Sequence, residues 1–259
     1  MYSPQSAPPQ SASLISRIDK NVCVLYYYNV VFLIIEQKGR ILMSFRPKNL
    51  IFDVDGTLWD AADTLVNVYN SVIASQPDLN YRVTADDLRN VFGKTLDEIG
   101  RIIFKGCEES RALKLIRQVI RQQDAYLPDH PPKPYPDFYE TMEALQKEYG
   151  LYIVSNGQKN YIETFLACTN SHRYFNGFLQ AGDTGLEKDG TILELIRRFN
   201  LKDAVYIGDT LGDYNATKKA GLPFVHASYG YGLVPEADYV IRSLKDLIGL
   251  FPAENRPES

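Results

Sequence analysis

Several short apolar runs stop abruptly at polar clusters, and this pattern constrains the fold more than any other feature of the chain. Asn49-Leu50-Ile51-Phe52 runs into Asp53-Val54-Asp55-Gly56-Thr57, and Leu151-Tyr152-Ile153-Val154 into Ser155-Asn156-Gly157. Ala204-Val205-Tyr206-Ile207 runs into Gly208-Asp209-Thr210, and Leu222-Pro223-Phe224-Val225 into His226-Ala227-Ser228. Short runs without polar alternation read as strands buried on both faces, the condition of a parallel sheet. Helical patterns follow or separate the later runs, over 137–149, 159–168, 189–199 and 212–220; the first and last end at Gly150 and Gly221, residues suited to a helix C-terminus. Strand alternating with helix predicts an α/β core, a Rossmann-like parallel sheet with helices on both faces. Ligands of such sheets bind beyond the carboxyl ends of the strands. The polar clusters fall at those ends, so residues distant in sequence converge there.

The alternation breaks between about Ala62 and Lys133, where the chain reads as all-helical. Leu65, Val68, Tyr69 and Val72 share one helical face. Thr95 and Glu98 have capping-box spacing and predict a helix starting at Leu96. Leu113, Ile116 and Ile120 mark a further face, and Pro128, Pro131, Pro132, Pro134 and Pro136 form a stiff return. The expected organisation is an N-terminal extension over 1–46, an α/β core over 47–61 and 134–252, a helical cap over 62–133, and a tail over 253–259. The insertion follows the first strand directly, which puts the cap above the strand ends as a lid.

Composition narrows the function classes. The net charge is −4, from 28 Lys+Arg against 32 Asp+Glu, and no basic run suggests a nucleic-acid groove. A small molecule is the expected partner, and an anionic one needs a local cation. Cys23, Cys107 and Cys168 are odd in number and far apart, which suggests neither a disulfide framework nor a zinc cluster and fits a reducing, cytoplasmic compartment. Residues 1–13 are rich in Pro, Ser, Gln and Ala and read as disordered. The apolar run Val22–Ile35 falls short of the ~20 residues of a membrane-spanning helix. It lacks a following signal-cleavage site, so the expectation is a native start at Met43 and no membrane role.

Asp53 and Asp55 close a buried strand. Carboxylates that close repel unless a cation or proton intervenes, and a hard divalent cation such as Mg²⁺ suits a site built of few carboxylates. Gly56 permits a tight turn there, with Thr57 next to it. The plainer alternative is a pair of turn-capping aspartates. Asp209 and Asp213 bring a second acidic cluster to another strand end, although Asp213 also reads as a helix cap. Ser155 and Asn156 offer polar groups at a third strand end that suit a phosphoryl oxygen. Lys188 offers a cation ahead of a helix, or is a solvated surface residue. His130, His172 and His226 have no metal-ligand spacing, and Tyr229 and Tyr231 read as rim or packing residues.

Taken together, Asp53-Val54-Asp55-Gly56-Thr57-Leu58, Ser155, Lys188, and Gly208-Asp209-Thr210 with Asp213 resemble the four ordered signatures of the haloacid dehalogenase-like hydrolases, specifically the phosphoglycolate phosphatase-like branch. The resemblance runs from about Lys48 to Leu250. It implies that Asp53 is the nucleophile, forming an aspartyl-phosphate, and that Asp55 is general acid and then base. It implies Mg²⁺ held by Asp53, the backbone carbonyl of Asp55, and Asp209. Ser155, Asn156 and Lys188 would hold the phosphoryl group, with Gly56, Thr57 and Asp213 in support. An acid at Asp55 favours phosphoryl transfer over dehalogenation within the superfamily. The implied reaction is hydrolysis of a small phosphomonoester metabolite by a monomer or homodimer; a phosphomutase or a pyrophosphatase uses the same core, and a non-catalytic regulatory protein would have lost these residues. Lys94, in the loop Gly93-Lys94-Thr95, is a candidate for reading a second anionic group on the substrate. Two positions depart from the family pattern: Asp189 follows Lys188 where proline is common, and Asp137 follows Pro136 where glycine is usual.

Overall fold

The structure is a computed structural model that describes residues 45–251. The chain divides into Met1–Phe45 and Arg46–Ser259, and the described residues after Phe45 all belong to the second unit. The expected N-terminal extension, save its last two residues, the Met43 start, Cys23 and the 253–259 tail lie outside the described residues.

Strand β1 (Asn49–Phe52) leads into four helices, α1 (Ala62–Ala74), α2 (Ala85–Arg89), α3 (Leu96–Ile103) and α4 (Glu109–Tyr126). Next come α5 (Phe138–Leu145), β2 (Gly150–Ser155), α6 (Tyr161–Thr169), β3 (Gly177–Gln180), the short α7 (Ala181–Thr184) and α8 (Lys188–Phe199). The chain continues through β4 (Ala204–Gly208), α9 (Leu211–Lys219), β5 (Phe224–Ala227), β6 (Tyr239–Ile241) and α10 (Leu247–Leu250). The six strands form one sheet in the order β3-β2-β1-β4-β5-β6, and every pair is parallel. The chain moves outward from β1 to β3, then crosses back to β4, so the order reverses at β1 and β4. That crevice is where such sheets bind ligands.

The central strands are apolar because both faces are covered. Leu50, Ile51 and Phe52 of β1 and all of Ala204–Gly208 in β4 are buried. Ile51, Val154 and Tyr206 pack with Ile192 and Leu195 of α8 on one face of the sheet. Each such side chain removed from water contributes about 1.5–3 kcal/mol against chain entropy. In register, Phe52 pairs with Ile153 and with Ile207. Asp53 therefore stands one residue beyond the strand end, level with Val154 and with Gly208, the residue before Asp209.

The helical segment leaves and re-enters the core side by side. Trp59 and Pro134 form an isolated antiparallel bridge, and Tyr135 N–H donates to the Leu58 carbonyl at 3.0 Å. Leu65, Val68, Tyr69 and Val72 are buried along α1 as expected. Thr95 caps α3 with a full capping box to Glu98. The inward face of α4 differs from the expectation: Ala112, Leu115, Ile116, Val119 and Gln123 are buried, whereas Leu113 and Ile120 are half-buried. Asp137, which caps α5, has φ +61°, the left-handed region that favours glycine and explains why glycine is usual there. No helix among the described residues is long and apolar enough to cross a membrane.

Candidate active site

Asp53, Asp209 and Asp213 come together at the β1/β4 crevice, all buried, with carboxylate oxygens within 4.8 Å of one another. Lys188, the first residue of α8 and only 5% exposed, reaches into this group from the β3 side. Its Nζ donates to Asp53 Oδ1 at 2.8 Å and also to Asp213 Oδ1. Lys188 is thus not the solvated surface residue of the plainer alternative, because the α8 N-terminus is turned inward. Asp213 serves both of its sequence readings at once. Its Oδ2 accepts from the Thr210 N–H at 3.0 Å and from the Thr210 hydroxyl at 2.6 Å, forming the capping box of α9, while Oδ1 holds Lys188.

Gly56 has φ +80°, and a Cβ there would fall 2.1 Å from Asp209 Oδ2. The turn after Asp55 is thus pressed against the second acidic strand end, and only glycine satisfies both demands. Asp209 is further fixed by the Tyr231 N–H, which donates to Oδ2 at 2.7 Å, and by the buried Thr57 hydroxyl, 3.5 Å from Oδ1.

Asp55 turns its side chain away from this cluster. Trp59 Nε1–H and the Tyr161 hydroxyl both donate to its Oδ1, at 3.0 and 2.6 Å. Of the acids expected to hold a metal, Asp53 and Asp209 contribute side chains to the cluster and Asp55 does not, which leaves the metal role expected of Asp55 to its backbone carbonyl. Ser155 Oγ accepts from the Gly157 N–H at 3.0 Å and keeps its own proton to donate. Asn156 uses Nδ2 on the Gly93 carbonyl at 2.7 Å, so that amide nitrogen ties the helical segment to the core. Lys94 lines the mouth of the cavity above Asp53 and Asp55, and is exposed.

The charges are strongly perturbed. Burial pushes the Asp53 carboxyl up to about 7 against the pull of Lys188. Asp55 rises to about 6, again through burial, while the Tyr161 and Trp59 hydrogen bonds restrain the rise. Asp209 is driven well above the ordinary carboxyl range by burial and by the charges of Asp213 and Asp53. Burial works against the Lys188 ammonium, but Asp213 and Asp53 outweigh it and hold its pKa well above the usual lysine value. An all-oxygen, over-charged acidic cluster of this kind fits a hard divalent cation.

Sequence reading missed four participants. Trp59 and Tyr161 grip Asp55, Tyr231 anchors Asp209, and the Tyr229 hydroxyl donates to the Thr57 carbonyl at 2.8 Å. Tyr161 lies 106 positions from its partner, and no spacing rule points to such a pair. His226 is buried, with Nε2 3.2 Å from the Gly232 carbonyl, where it braces the glycine-rich loop.

This sheet order, with paired acids after β1, a lysine opening α8 and a further acidic pair after β4, marks a hydrolase of the haloacid dehalogenase-like class. The family model for haloacid dehalogenase-like hydrolases matches residues 50–227, and the chain belongs to that family. A phosphoglycolate phosphatase from Agrobacterium fabrum is 30% identical over 231 residues, covering 82% of this chain and 94% of that protein. A phosphoglycolate phosphatase from Aquifex aeolicus is 26% identical over 217 residues, covering 78% and 95%. Among solved structures, a predicted phosphoglycolate phosphatase from Haemophilus somnus superposes with a TM-score of 0.68 at 23% identity, over 78% of this chain and 96% of that one. A haloacid dehalogenase-like family hydrolase from Streptococcus pneumoniae gives 0.65 at 20% identity, over 80% and 99%. These likenesses to solved structures establish the fold.

Proposed function

We propose that the protein is a Mg²⁺-dependent phosphatase that hydrolyses a small phosphomonoester through an aspartyl-phosphate on Asp53. The observation that carries this reading is the buried Lys188, bonded to Asp53 and Asp213 beside Asp209, with Asp55 gripped separately. Lys188 occupies Asp53 Oδ1, which leaves Oδ2 to attack phosphorus. The P–O bond to the leaving alcohol breaks as the new P–O bond to Asp53 forms. Asp55 delivers its proton to the departing oxygen from Oδ2, because Oδ1 already accepts two hydrogen bonds. A carboxyl pKa near 6 suits an acid that must also work as a base near neutrality. The resulting Asp55 carboxylate then takes a proton from water. The water oxygen attacks phosphorus, phosphate departs, and Asp53 is regenerated.

Asp53, Asp209 and the Asp55 carbonyl would hold Mg²⁺, which when bound offsets negative charge on the phosphoryl oxygens. The Ser155 hydroxyl and the Lys188 ammonium neutralise and orient the same group. The helical cap covers the reaction and excludes bulk water. A cytoplasmic enzyme fits the unpaired thiols of Cys107 and Cys168. The test is Asp53→Asn assayed for Mg²⁺-dependent phosphate release. The amide is nearly isosteric but a poor nucleophile, so turnover vanishes while the melting temperature persists. Retention of more than a few per cent of wild-type activity would remove Asp53 from the nucleophile role.

A further inference from the structure

The cavity over Asp53 and Asp55 has a wall that the phosphoryl chemistry leaves unused. Its volume is about 50 Å³. It is half open and shares Leu96, Asn156, Gly157 and Gln158 with a larger cleft of about 630 Å³, so the chemistry of its wall rather than its volume selects the leaving group. Leu65, Phe92, Ile99 and Ile120 make the cap side of this wall apolar. Tyr69 of α1 and Gln123 of α4 interrupt it; they are 2% and 4% exposed and present polar groups to the cavity they line. Asn156, on the core side, has a buried Oδ1 with no partner, and its Nδ2 is already fixed on Gly93.

Asn156 Oδ1 costs stability where it stands. A buried polar group without a partner is worth about 1–3 kcal/mol against folding. Gln123 continues the inward stripe of Ala112, Leu115, Ile116 and Val119, a place where an apolar side chain would pack without penalty. Burial, with the nearby Asp55 charge, also keeps the Tyr69 phenol protonated and able to donate. The wall holds no buried cation to receive a second anion. Lys188 is committed to Asp53 and Asp213, and Lys94 is exposed at the mouth. An anionic leaving group would instead lie close to the Asp53 and Asp55 carboxyls.

We infer that Gln123, Tyr69 and the Asn156 carbonyl oxygen form a leaving-group subsite for a small neutral alcohol carrying a further hydroxyl, so that the substrate class is short polyol phosphates rather than phosphorylated hydroxy acids. Such a hydroxyl donates to Asn156 Oδ1 or Gln123 Oε1 and accepts from Gln123 Nε2 or the Tyr69 phenol. This assignment rests on the phosphatase reading of the same site.

The experiment measures Mg²⁺-dependent phosphate release by the full chain from glycerol phosphate, 2-phosphoglycolate and nitrophenyl phosphate. The wild type favours glycerol phosphate over phosphoglycolate by at least about tenfold in kcat/KM. Gln123→Leu collapses that ratio about 10- to 100-fold, the scale on which a polar subsite rejects a mispaired ligand. It also raises the melting temperature, since a buried amide leaves an apolar stripe. Tyr69→Phe, which keeps the ring, lowers the same ratio. Preference for phosphoglycolate, lost in Lys94→Ala, would overturn the inference in favour of an anion reader at the mouth. A Gln123→Leu ratio equal to wild type would also overturn it. Absence of release from all three substrates would sink the phosphatase reading itself, a result distinguishable from failed selectivity because nitrophenyl phosphate needs no subsite.

Discussion

Replacing Tyr161 with phenylalanine removes one hydrogen bond from Asp55 and leaves the ring in place. The Tyr161 ring packs edge-on against Trp59, with centroids 6.2 Å apart, and the side chain is buried, so the variant should fold as the parent does. The lost bond is 2.6 Å long and ends on a carboxyl oxygen in a dry site. Hydrogen bonds to charged groups contribute about 1.5–3 kcal/mol. At 1.36 kcal/mol per tenfold, kcat toward an alkyl phosphate should fall about 10- to 150-fold with little change in KM. Trp59 still donates to Oδ1, which places the effect toward the lower end. The Tyr161 bond favours the ionised carboxyl, so its loss raises the Asp55 pKa above its present value of about 6. The pH at which the acid loses its proton, and with it the basic limb of the kcat/KM profile, therefore moves upward. Nitrophenyl phosphate separates the two half-reactions of the proposed mechanism. Its leaving group needs no proton, so Asp53 is phosphorylated quickly, while the water step still needs Asp55 as base. Stopped-flow traces should show a burst of about one nitrophenolate per site and then a slow steady state. An unchanged kcat, or a loss confined to KM, would refute the idea that Tyr161 aims Asp55.

Gly56→Ala should destabilise the protein by about 1–3 kcal/mol through its left-handed backbone alone, and the new Cβ, 2.1 Å from Asp209 Oδ2, should raise the Mg²⁺ concentration for half-maximal activity. Gly230→Ala is the companion test: its Cβ would fall 2.3 Å from the Gly56 carbonyl oxygen and 2.4 Å from Asp209 Cβ, so without any φ penalty it should still lower the melting temperature and weaken Mg²⁺ dependence. Thermal melts in chelator should show stability falling from about pH 5 to pH 8. Asp53, Asp55 and Asp209 have raised folded-state pKa values, so the folded chain holds protons that the unfolded chain releases above about pH 4. Added Mg²⁺ should recover more stability at pH 8 than at pH 5, and an equal gain at both would count against a metal seated on these carboxyls.

The central strands and their polar ends were legible because β1, β2 and β4 are buried on both faces and must be apolar throughout. β3 and β6 were not, because each lies at a sheet edge; Tyr239 and Val240 are half-buried and exposed, so no apolar run marks them. The α4 face was misjudged by one position, toward Leu113 and Ile120, because the inward stripe ends in a glutamine. Asp53, Asp55, Lys188 and Asp209 were singled out through their order along the chain, and the structure brings Asp53, Lys188 and Asp209 into one buried group. The residues that aim them were out of reach. Trp59, Tyr161 and Tyr231 look like ordinary packing aromatics, and only the folded geometry turns their N–H and O–H groups toward Asp55 and Asp209.

Lys188 shows why this arrangement reads as machinery rather than scaffolding. A lysine at the first position of a helix faces the positive end of the backbone dipole, where a cation is disfavoured. Burying its ammonium adds a desolvation cost of several kcal/mol. Asp53 and Asp213 offset those costs, yet with Asp209 they leave more negative than positive charge in the crevice. A structural ion pair would need only one carboxylate, and apolar residues of similar volume would often serve stability as well or better. The excess acids and the inverted lysine each oppose folding on their own. Under the proposed reading they would become mutually consistent: a divalent cation would take the surplus charge, and Lys188 would face the phosphoryl oxygens. Local rules broken together at one strand-end crevice, while the surrounding sheet obeys them, are what a site selected for chemistry looks like.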